Sequence, residues 1–365
     1  MSRTERMKIV HVETGLHLYG GAQQVAYLLA GLADRGVDNV LVCPPGAAIG
    51  QHFAGSAVKV IEVPCSGDAD VGFVFRLARV LRAERPDLVH LHSRRGADVL
   101  GGLAARKAGV RAILSRRVDN PEAPWLARLK YQLFDRVICI SQGIADVLLS
   151  EGVEPARVRV VRSAVDAAPW TQPESRAAFC AEFGVDSDAI IIGVVAQLIE
   201  RKGHRVLFEA LARRRTTQKL AIVIFGQGPL RAALEAESRS LAVPVHFAGF
   251  RRDLTRWVGC LDLLVHPALM EGLGVSLLQA SAAGVPIIAS RAGGMPEAVR
   301  DGLNGLLVPP GDAQCLQETL DELIEQPELR RRLADGGPRL IAEAFSVDTM
   351  VDGNLAVYRE RRATP

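Results

Sequence analysis

The chain alternates, twice over, between short runs rich in Val, Ile and Leu and longer stretches of helical periodicity. In the first half KIVHVE (8–13) leads through Gly20-Gly21 into the amphipathic AQQVAYLLAGLADRG (22–36). NVLVC (39–43), DLVHLH (87–92), RAILS (111–115) and RVICIS (136–141) follow, each separated by a helix-like stretch. The segment SAVDAAPWTQPESRAAFCAEFGVDSD (163–188), with two prolines and several small polar residues, breaks the rhythm. It then restarts with AIIIGVVA (189–196), KLAIVIFG (219–226), VHFAG (245–249), LDLLVHP (261–267), VPIIAS (285–290) and LNGLLVPP (303–310). Strands recurring between helices are the mark of a parallel sheet wrapped by helices. The expected architecture is α/β, with two Rossmann-like domains facing each other across a cleft. The N-terminal domain is expected over 1–165, a linker with a short helix over 166–188, and the C-terminal domain over 189–345. A last helix, 346–365, is expected to pack back on the N-terminal domain. In such sheets ligands sit at the carboxyl ends of the strands, where turns lead into helices.

Composition agrees with this division. A chain of 365 residues exceeds the usual size of one hydrophobic core. With 48% hydrophobic and 23% charged residues it is neither disordered nor fibrous, and a formal charge of +3 gives no call for nucleic acid. Its six cysteines form no CxxC pair and mostly lie in apolar runs, so buried reduced thiols and a reducing cytoplasm are expected. The start, MSRTERMKIV, lacks an apolar signal core, and the longest apolar stretches are cut by His266, Glu271 and Gln279. No membrane-spanning helix is expected.

Four glycine turns follow strand-like runs and precede helical ones: Gly20-Gly21, Gly226-Gln227-Gly228, Gly272-Leu273-Gly274 and Gly293-Gly294. A helix N-terminus offers unpaired amides and partial positive charge, and glycine lets a phosphate approach the backbone. Any one alone reads as a tight turn; four in the same topological place point to an anionic ligand. Arg201 and Lys202, behind the strand at 189–196, would neutralise a diphosphate. GLHLYGGAQQ has the wrong glycine spacing for the dinucleotide fingerprint, which argues against an oxidoreductase.

Other polar features have plainer readings beside the functional ones. His90 and His92 alternate along a strand and so are expected on opposite faces, against joint metal ligation, with His92 at the strand end toward the cleft. His11 and His266 end strands and have a structural reading; His17 and Tyr19 lie in the first loop, where an acceptor would touch. The DxD-like DAD (68–70) and DSD (186–188) sit in turn-rich stretches and read as solvated loops, so no metal is expected. From 94 to 136 ten basic residues oppose four acids, an excess that would suit an anionic membrane surface. For PWLARLKYQLF (124–134) core packing is the expectation over lipid contact.

With these residues in hand, the chain resembles glycosyltransferase family 4, the retaining glycosyl transferases of group 1 with the two-domain GT-B fold. GVVAQLIERKGH looks like the family's donor-phosphate segment and FGQGPLRAALE like its G-x-G-P turn. The C-terminal block from VHFAGFRRDL to GLLVPPGD follows the family pattern nearly phrase by phrase, with MEGLGVSLLQASAAGVPIIASRAGGMPEAV at its centre. GGAQQVAYLLAGL and RVICISQGIADVLLSEGVEPARVRVVRSAVD resemble its first loop and its pre-linker block.

The resemblance implies roles by position. Glu271 matches the first glutamate of the E-x-seven-E motif, near the donor sugar hydroxyls, and Lys202, with Arg201, the donor diphosphate site. Gly20 and Gly21 match the loop that closes over phosphate and acceptor. Gly226, Gly228, Gly272, Gly274, Gly293 and Gly294 match the donor turns, and Gly249 and Phe250 the place of the nucleobase. Three positions depart from the pattern. Gln279 stands where the family has its second glutamate and Gln197 where an arginine often completes the phosphate clamp. The family histidine after the fourth N-terminal strand is matched, on the strands counted above, by Arg116. An amide at 279 still accepts a hydrogen bond from ribose but loses the charge-assisted one.

The implied reaction is transfer of a hexose from a nucleotide-diphospho-sugar to a hydroxyl of a glycan or lipid-linked acceptor, with retention and without metal or other cofactor. The implied setting is envelope polysaccharide or lipopolysaccharide synthesis in the cytoplasm, at the inner face of the membrane. Stabilising the charge that builds on the departing diphosphate is the protein's main task. The alternatives are an epimerase or phosphorylase on the same fold, or a sugar-nucleotide-binding protein that has lost catalysis.

Overall fold

The computed structural model describes residues 6–18, 20–92 and 97–360. The described chain forms two compact units, one made of residues up to Ser163 together with those from Val347 onward, the other of Ala164–Ser346.

The first unit has seven parallel strands: β1 (Lys8–Val12), β2 (Asp38–Cys43), β3 (Lys59–Glu62), β4 (Leu88–Leu91), β5 (Arg111–Arg116), β6 (Arg136–Cys139) and β7 (Val158–Val160). Their order across the sheet is β3-β2-β1-β4-β5-β6-β7. Helices α1 (Gly20–Asp34), α2 (Ala48–His52), α3 (Val71–Glu84), α4 (Ala97–Ala108), α5 (Pro124–Tyr131) and α6 (Gln142–Ser150) connect them. The second unit begins with α7 (Arg176–Phe183), and its sheet has the order β10-β9-β8-β11-β12-β13, again all parallel. These strands are β8 (Ile190–Val195), β9 (Leu220–Phe225), β10 (Val245–Gly249), β11 (Leu263–His266), β12 (Ile287–Ser290) and β13 (Gly305–Val308). Its helices are α8 (His204–Ala212), α9 (Arg231–Ser238), α10 (Leu254–Trp257), α11 (Val275–Ala282), α12 (Met295–Ala298), α13 (Ala313–Glu325) and α14 (Pro327–Ala344), and α15 (Val347–Arg359) returns to the first unit.

Central strands are apolar on both faces because helices cover both faces of a parallel sheet. Ile192, Ile222, Ile224, Leu263 and Leu207 are all at most 1% exposed in one continuous core. Each such side chain contributes about 1.5–3 kcal/mol by leaving water. Short polar side chains start the helices: Asp70 accepts from the Phe73 amide, Ser141 from Ile144, Ser175 from Ala178 and Asp312 from Cys315. Strand order reverses where β1 meets β4 and where β8 meets β11. The carboxyl ends flanking those two reversals are where ligands of such sheets bind.

Three sequence readings change. Strands β3 and β7 escaped notice because both are edges, half-buried and charged: Lys59 and Glu62 bracket one and Arg159 sits in the other. The stretch 166–188, read as a linker, is packed into the second unit. Phe179 and Phe183 meet Trp257 edge-on, and Arg176 bonds the Asp262 carboxylate at 3.0 Å. Finally 124–134 packs in the core by one side alone: Ala127, Tyr131 and Phe134 are buried, as expected, while Trp125 is 71%, Leu129 61% and Leu126 45% exposed.

Helix α15 is built into the first unit. Gly31 of α1 leaves room for Val351, and Arg35 bonds Asp348 and Asp352. Tyr358 is fully buried, its hydroxyl 2.6 Å from His90 Nδ1, while Arg111 donates to the Tyr358 carbonyl. Arg136 and Arg159 bond Glu360.

Candidate active site

In the second unit the site grows from the carboxyl ends of β8 and β11. After β8 the chain makes a single 3-10 turn, Glu200–Lys202, and then turns back at Gly203 in the left-handed region (φ +69°). A Cβ at 203 would lie 1.9 Å from the Pro267 carbonyl oxygen, so only glycine lets this turn press against the loop after β11. The Leu269 amide donates to the Arg201 carbonyl at 2.8 Å and fixes the contact. Lys202 is thereby buried with its Nζ donating to Glu271 Oε2.

Glu271 is held from three sides. Besides Lys202, His266 Nε2 lies 3.1 Å from Oε2, and the Gly272 amide donates to Oε1 at 3.1 Å. The Glu271 backbone carbonyl accepts from the Gly294 amide at 3.0 Å, which ties the second Gly-Gly turn to the first. Burial pushes the Glu271 carboxyl up, but the His266 hydrogen bond and the Lys202 charge outweigh it and hold it at about 2. It is a carboxylate at any working pH. Burial lowers His266, and Lys202 and Arg201 oppose its protonation further. An anionic Glu271 facing a neutral His266 Nε2–H is the arrangement these charges favour. His204, buried beside them, has no hydrogen-bond partner on either ring nitrogen among the described residues, and burial lowers it to about 4.

The remaining expected donor positions divide. Gly274 (φ +86°) precedes α11, and Gln279 lies half-buried one turn into that helix. Gly293 (φ +53°) turns the chain into α12. Gly226 and Gly228 are required by packing: a Cβ would lie 1.8 Å from the Ala196 carbonyl oxygen and 2.4 Å from that of Leu198. They pin the turn after β9 to the turn after β8, where Gln197 is exposed. Gly249 accepts from the Gly226 amide through its carbonyl, and Phe250 beside it is 47% exposed.

In the first unit Gly20 and Gly21 are exposed and form the first turn of α1 itself, with no positive φ. His17 is exposed in the loop before them; Tyr19 lies outside the described residues. At the β1–β4 reversal three histidines meet. His11 and His90 are register partners, and His92 Nε2 shares a hydrogen bond with His11 Nδ1 at 3.0 Å. His90 and His92 ring centroids are 3.9 Å apart. The expected opposite facing of His90 and His92 is therefore wrong. β4 ends at Leu91, and strand alternation no longer governs the residue after it. Nor does His92 stand open: it is 2% exposed. Burial lowers His11 to about 4 and keeps His90 and His92 well below the usual imidazole range. The ring nitrogens lie within 4.8 Å of one another, close enough for one metal ion. His90, however, spends both nitrogens on Tyr358 (2.6 Å) and Ser115 (2.9 Å), and the Arg117 charge bears on His90 and His92. This donor set fits hydrogen bonding better than a cation.

Arg116 is engaged within the first unit's own loop. It is buried, its Nη1 2.9 Å from Glu122 and its Nη2 donating to the Asn120 carbonyl, so it braces the loop after β5. Arg117 points the other way, with its Cδ 3.7 Å from where a Gly21 Cβ would be. Sequence reasoning missed Arg117, and the period-2 alternation of β5 was the signal that separates it from Arg116. The miscount came from β3. With that strand restored, the residue after the fourth strand is His92 and Arg116 ends the fifth. The two DxD-like stretches serve locally. Asp70 caps α3 and pairs with Arg76, and Asp186 and Asp188 both hold Lys219.

Comparison with known proteins places these features in context. Residues 19–168 match the model of "Glycosyltransferase Family 4" and residues 175–339 that of "Glycosyl transferases group 1". The chain is 27% identical to the lipopolysaccharide core biosynthesis glycosyltransferase LpsE of Rhizobium meliloti, over 97% of this chain and 100% of that one. Among solved structures it resembles a glycosyltransferase from Rickettsia africae (TM-score 0.85, 18% identity, covering 97% and 98% of the two chains). It also resembles Anabaena Alr3699/HepE in complex with UDP and glucose (TM-score 0.83, 20% identity, 96% and 99%).

Proposed function

Since the chain belongs to the glycosyltransferases, family 4 in its N-terminal half and group 1 in its C-terminal half, with a GT-B fold of two Rossmann-like domains, we propose that it is a retaining, metal-independent hexosyltransferase using a nucleotide-diphospho-sugar. The observation that carries this reading is the buried Lys202–Glu271–His266 group at the β8–β11 reversal. A carboxylate held at about 2 with a neutral histidine beside it is a hydrogen-bond acceptor for sugar hydroxyls. Lys202 has a carboxylate partner without ligand, and a diphosphate offers it a second, more highly charged one.

The chemistry then follows from charge. The bond from the sugar C1 to the phosphate oxygen breaks, a bond from C1 to the acceptor oxygen forms, and the acceptor proton passes to the leaving phosphate oxygen. Negative charge gathers on the diphosphate, where Lys202, Arg201 and the amides at the start of α11 are the preorganised donors. Gln279 on that helix is suited to accept from a ribose hydroxyl. Gly226, Gly228, Gly249 and Phe250 belong to the nucleotide side of this reading, as do Gly272, Gly274, Gly293 and Gly294. On the acceptor side the reading assigns His92 in place of Arg116. It follows the fourth strand, and its Nδ1 has no hydrogen-bond partner among the described residues. Gly20 and Gly21 offer amides at the α1 N-terminus. The LpsE likeness supports an envelope glycan as acceptor. A lipid-linked acceptor would bring the enzyme to a membrane surface, although no described helix is long and apolar enough to cross one.

The test is incubation of purified protein with UDP-, GDP- and ADP-hexoses, following nucleotide release with and without EDTA. Release with one donor, unchanged by EDTA and reduced at least about a hundredfold in Glu271→Ala, is expected. Proton NMR of the product should show the donor's anomeric configuration. Loss of activity in EDTA with recovery on adding manganese would sink the metal-independent reading.

A further inference from the structure

Three polar side chains lie in line at the β1–β4 reversal, and each settles the protonation of the next. Asn39 of β2 sits diagonally across from His11, whose register partner is Leu41, so both side chains leave the same face of the sheet. The Asn39 amide nitrogen lies 3.4 Å from the Leu29 carbonyl oxygen and 3.2 Å from that of Val37. Carbonyls only accept, so the NH2 group faces them and the amide oxygen is left for His11. His11 Nε2, 3.2 Å from that oxygen, must then carry the ring's proton and donate it. Burial outweighs the Asn39 bond and lowers His11 to about 4, so its Nδ1 is a bare lone pair.

That lone pair accepts from His92 Nε2 at 3.0 Å. His92 is kept neutral in turn, by burial first and then by repulsion from His90, His11 and Arg117. Which ring nitrogen holds the proton is set by the bond the other one makes. With its single proton on Nε2, His92 has a bare Nδ1 as well. This atom is buried and has no hydrogen-bond partner among the described residues. His90 cannot supply one, because Tyr358 (2.6 Å) and Ser115 (2.9 Å) take both its nitrogens. The chain of bonds therefore ends on an unpaired acceptor, next to a strand end that flanks the order reversal, where ligands of such sheets bind.

We propose that Asn39 and His11 are positioning residues, which hold His92 in its Nε2–H form so that Nδ1 accepts a hydrogen bond from a substrate hydroxyl next to the reacting carbon. The hydroxyl rests on the sugar-transfer reading; the tautomer chain does not. Positive charge builds on the sugar as its bond to phosphate breaks. A hydroxyl beside it becomes a stronger donor, so a lone pair facing that hydroxyl gains more in the transition state than in the ground state. The other tautomer would turn an N–H toward the same charge. The proton stays on the hydroxyl throughout, and the histidine neither takes nor gives one.

Long-range proton–nitrogen NMR of the ligand-free full chain, with isotope-labelled histidine, reads the tautomers directly. At neutral pH His11 and His92 should each be protonated on Nε2 alone; a His92 protonated on Nδ1 would overturn the proposal whatever becomes of sugar transfer. Asn39→Asp sets a carboxylate against His11 and favours its imidazolium, whose Nδ1–H then donates, so His92 should change to the Nδ1–H form. Nucleotide release from UDP-, GDP- or ADP-glucose should then lose roughly tenfold in kcat with KM within about threefold, as for one hydrogen bond lost in the transition state. Should that variant fail to fold, two substitutions of His92 carry the same test. An asparagine oxygen can fall where Nδ1 was, whereas a glutamine reaches toward Nε2. His92→Asn should keep at least about tenfold more kcat than His92→Gln, and equal rates or the reverse order would overturn the proposal. Monodeoxyglucose nucleotides locate the hydroxyl: a donor lacking it should close the gap between the two variants, and a gap that survives every such donor places the hydroxyl on the acceptor. Release from none of the three donors would sink sugar transfer and the hydroxyl with it, while the NMR would still decide the tautomer chain.

Discussion

Glu271 and the three buried histidines of the first unit respond to acid in different ranges, and the signs can be worked out separately. The folded pKa of Glu271 lies below its unfolded value near 4.5, so its contribution to stability is present above that pH and fades toward about 2. His11 is also depressed, from 6.5 to about 4, with His90 and His92 moved the same way. A buried base held neutral acts in the same direction at milder pH. Between about 6.5 and 4 the unfolded chain binds protons that the folded one refuses, and stability falls as the medium is acidified. The expected slope is up to about 1.4 kcal/mol per pH unit for each histidine. Urea midpoints should be flat from about pH 8 to 6.5 and drop below it; midpoints flat down to about pH 5 would mean these rings are not buried as neutral groups. Sequence alone could name these histidines but not group them, because His92 joins His11 only through the backbone turn after β4.

At the level of elements, the turns after strands are not equivalent, although they read alike as Gly-rich stretches. Gly203 has positive φ and a backbone oxygen 1.9 Å from any Cβ, whereas nothing lies within 4 Å of a Cβ at Gly20. Gly203→Ala should cost at least about 2–3 kcal/mol in strain and displaced backbone, carrying Lys202 away from Glu271. Gly20→Ala should fold like the parent, within about 1 kcal/mol. Thermal melts of the two variants give the comparison, and equal melting temperatures would remove the packing argument. Helix and central-strand positions were legible because their apolar periodicity is imposed by burial on fixed faces. Edge strands were not, since half-exposed β3 and β7 tolerate charge and lose the signal. Core packing holds for Ala127 and Tyr131 of α5 but not for Trp125, Leu126 and Leu129, because a helix apolar on both sides has no periodicity to say which side is covered.

For the molecule as a whole, the first unit is closed by residues nearly two hundred positions away from the rest of it. Tyr358 supplies a partner to the fully buried His90, and Glu360 binds Arg136 and Arg159. Tyr358→Phe leaves His90 Nδ1 without that partner and should lower stability by about 1–3 kcal/mol. The loss should appear in hydrogen exchange as reduced protection on β1, β4 and β5, with β8 to β13 unchanged. A uniform loss across both sheets would mean that the two units unfold as one.

The sequence by itself determined the parallel α/β class, the two-domain division, and the placing of Lys202 and Glu271 at neighbouring strand ends. These follow from local periodicity and from motifs that lie within a few tens of residues. Only the tertiary structure decided that His92 and not Arg116 follows the fourth strand, that His266 braces Glu271, and that Arg117 turns toward Gly21. Those facts depend on strand order, register and the direction of a side chain at a strand end. Such properties arise from contacts between segments far apart in the chain, and no local pattern encodes them.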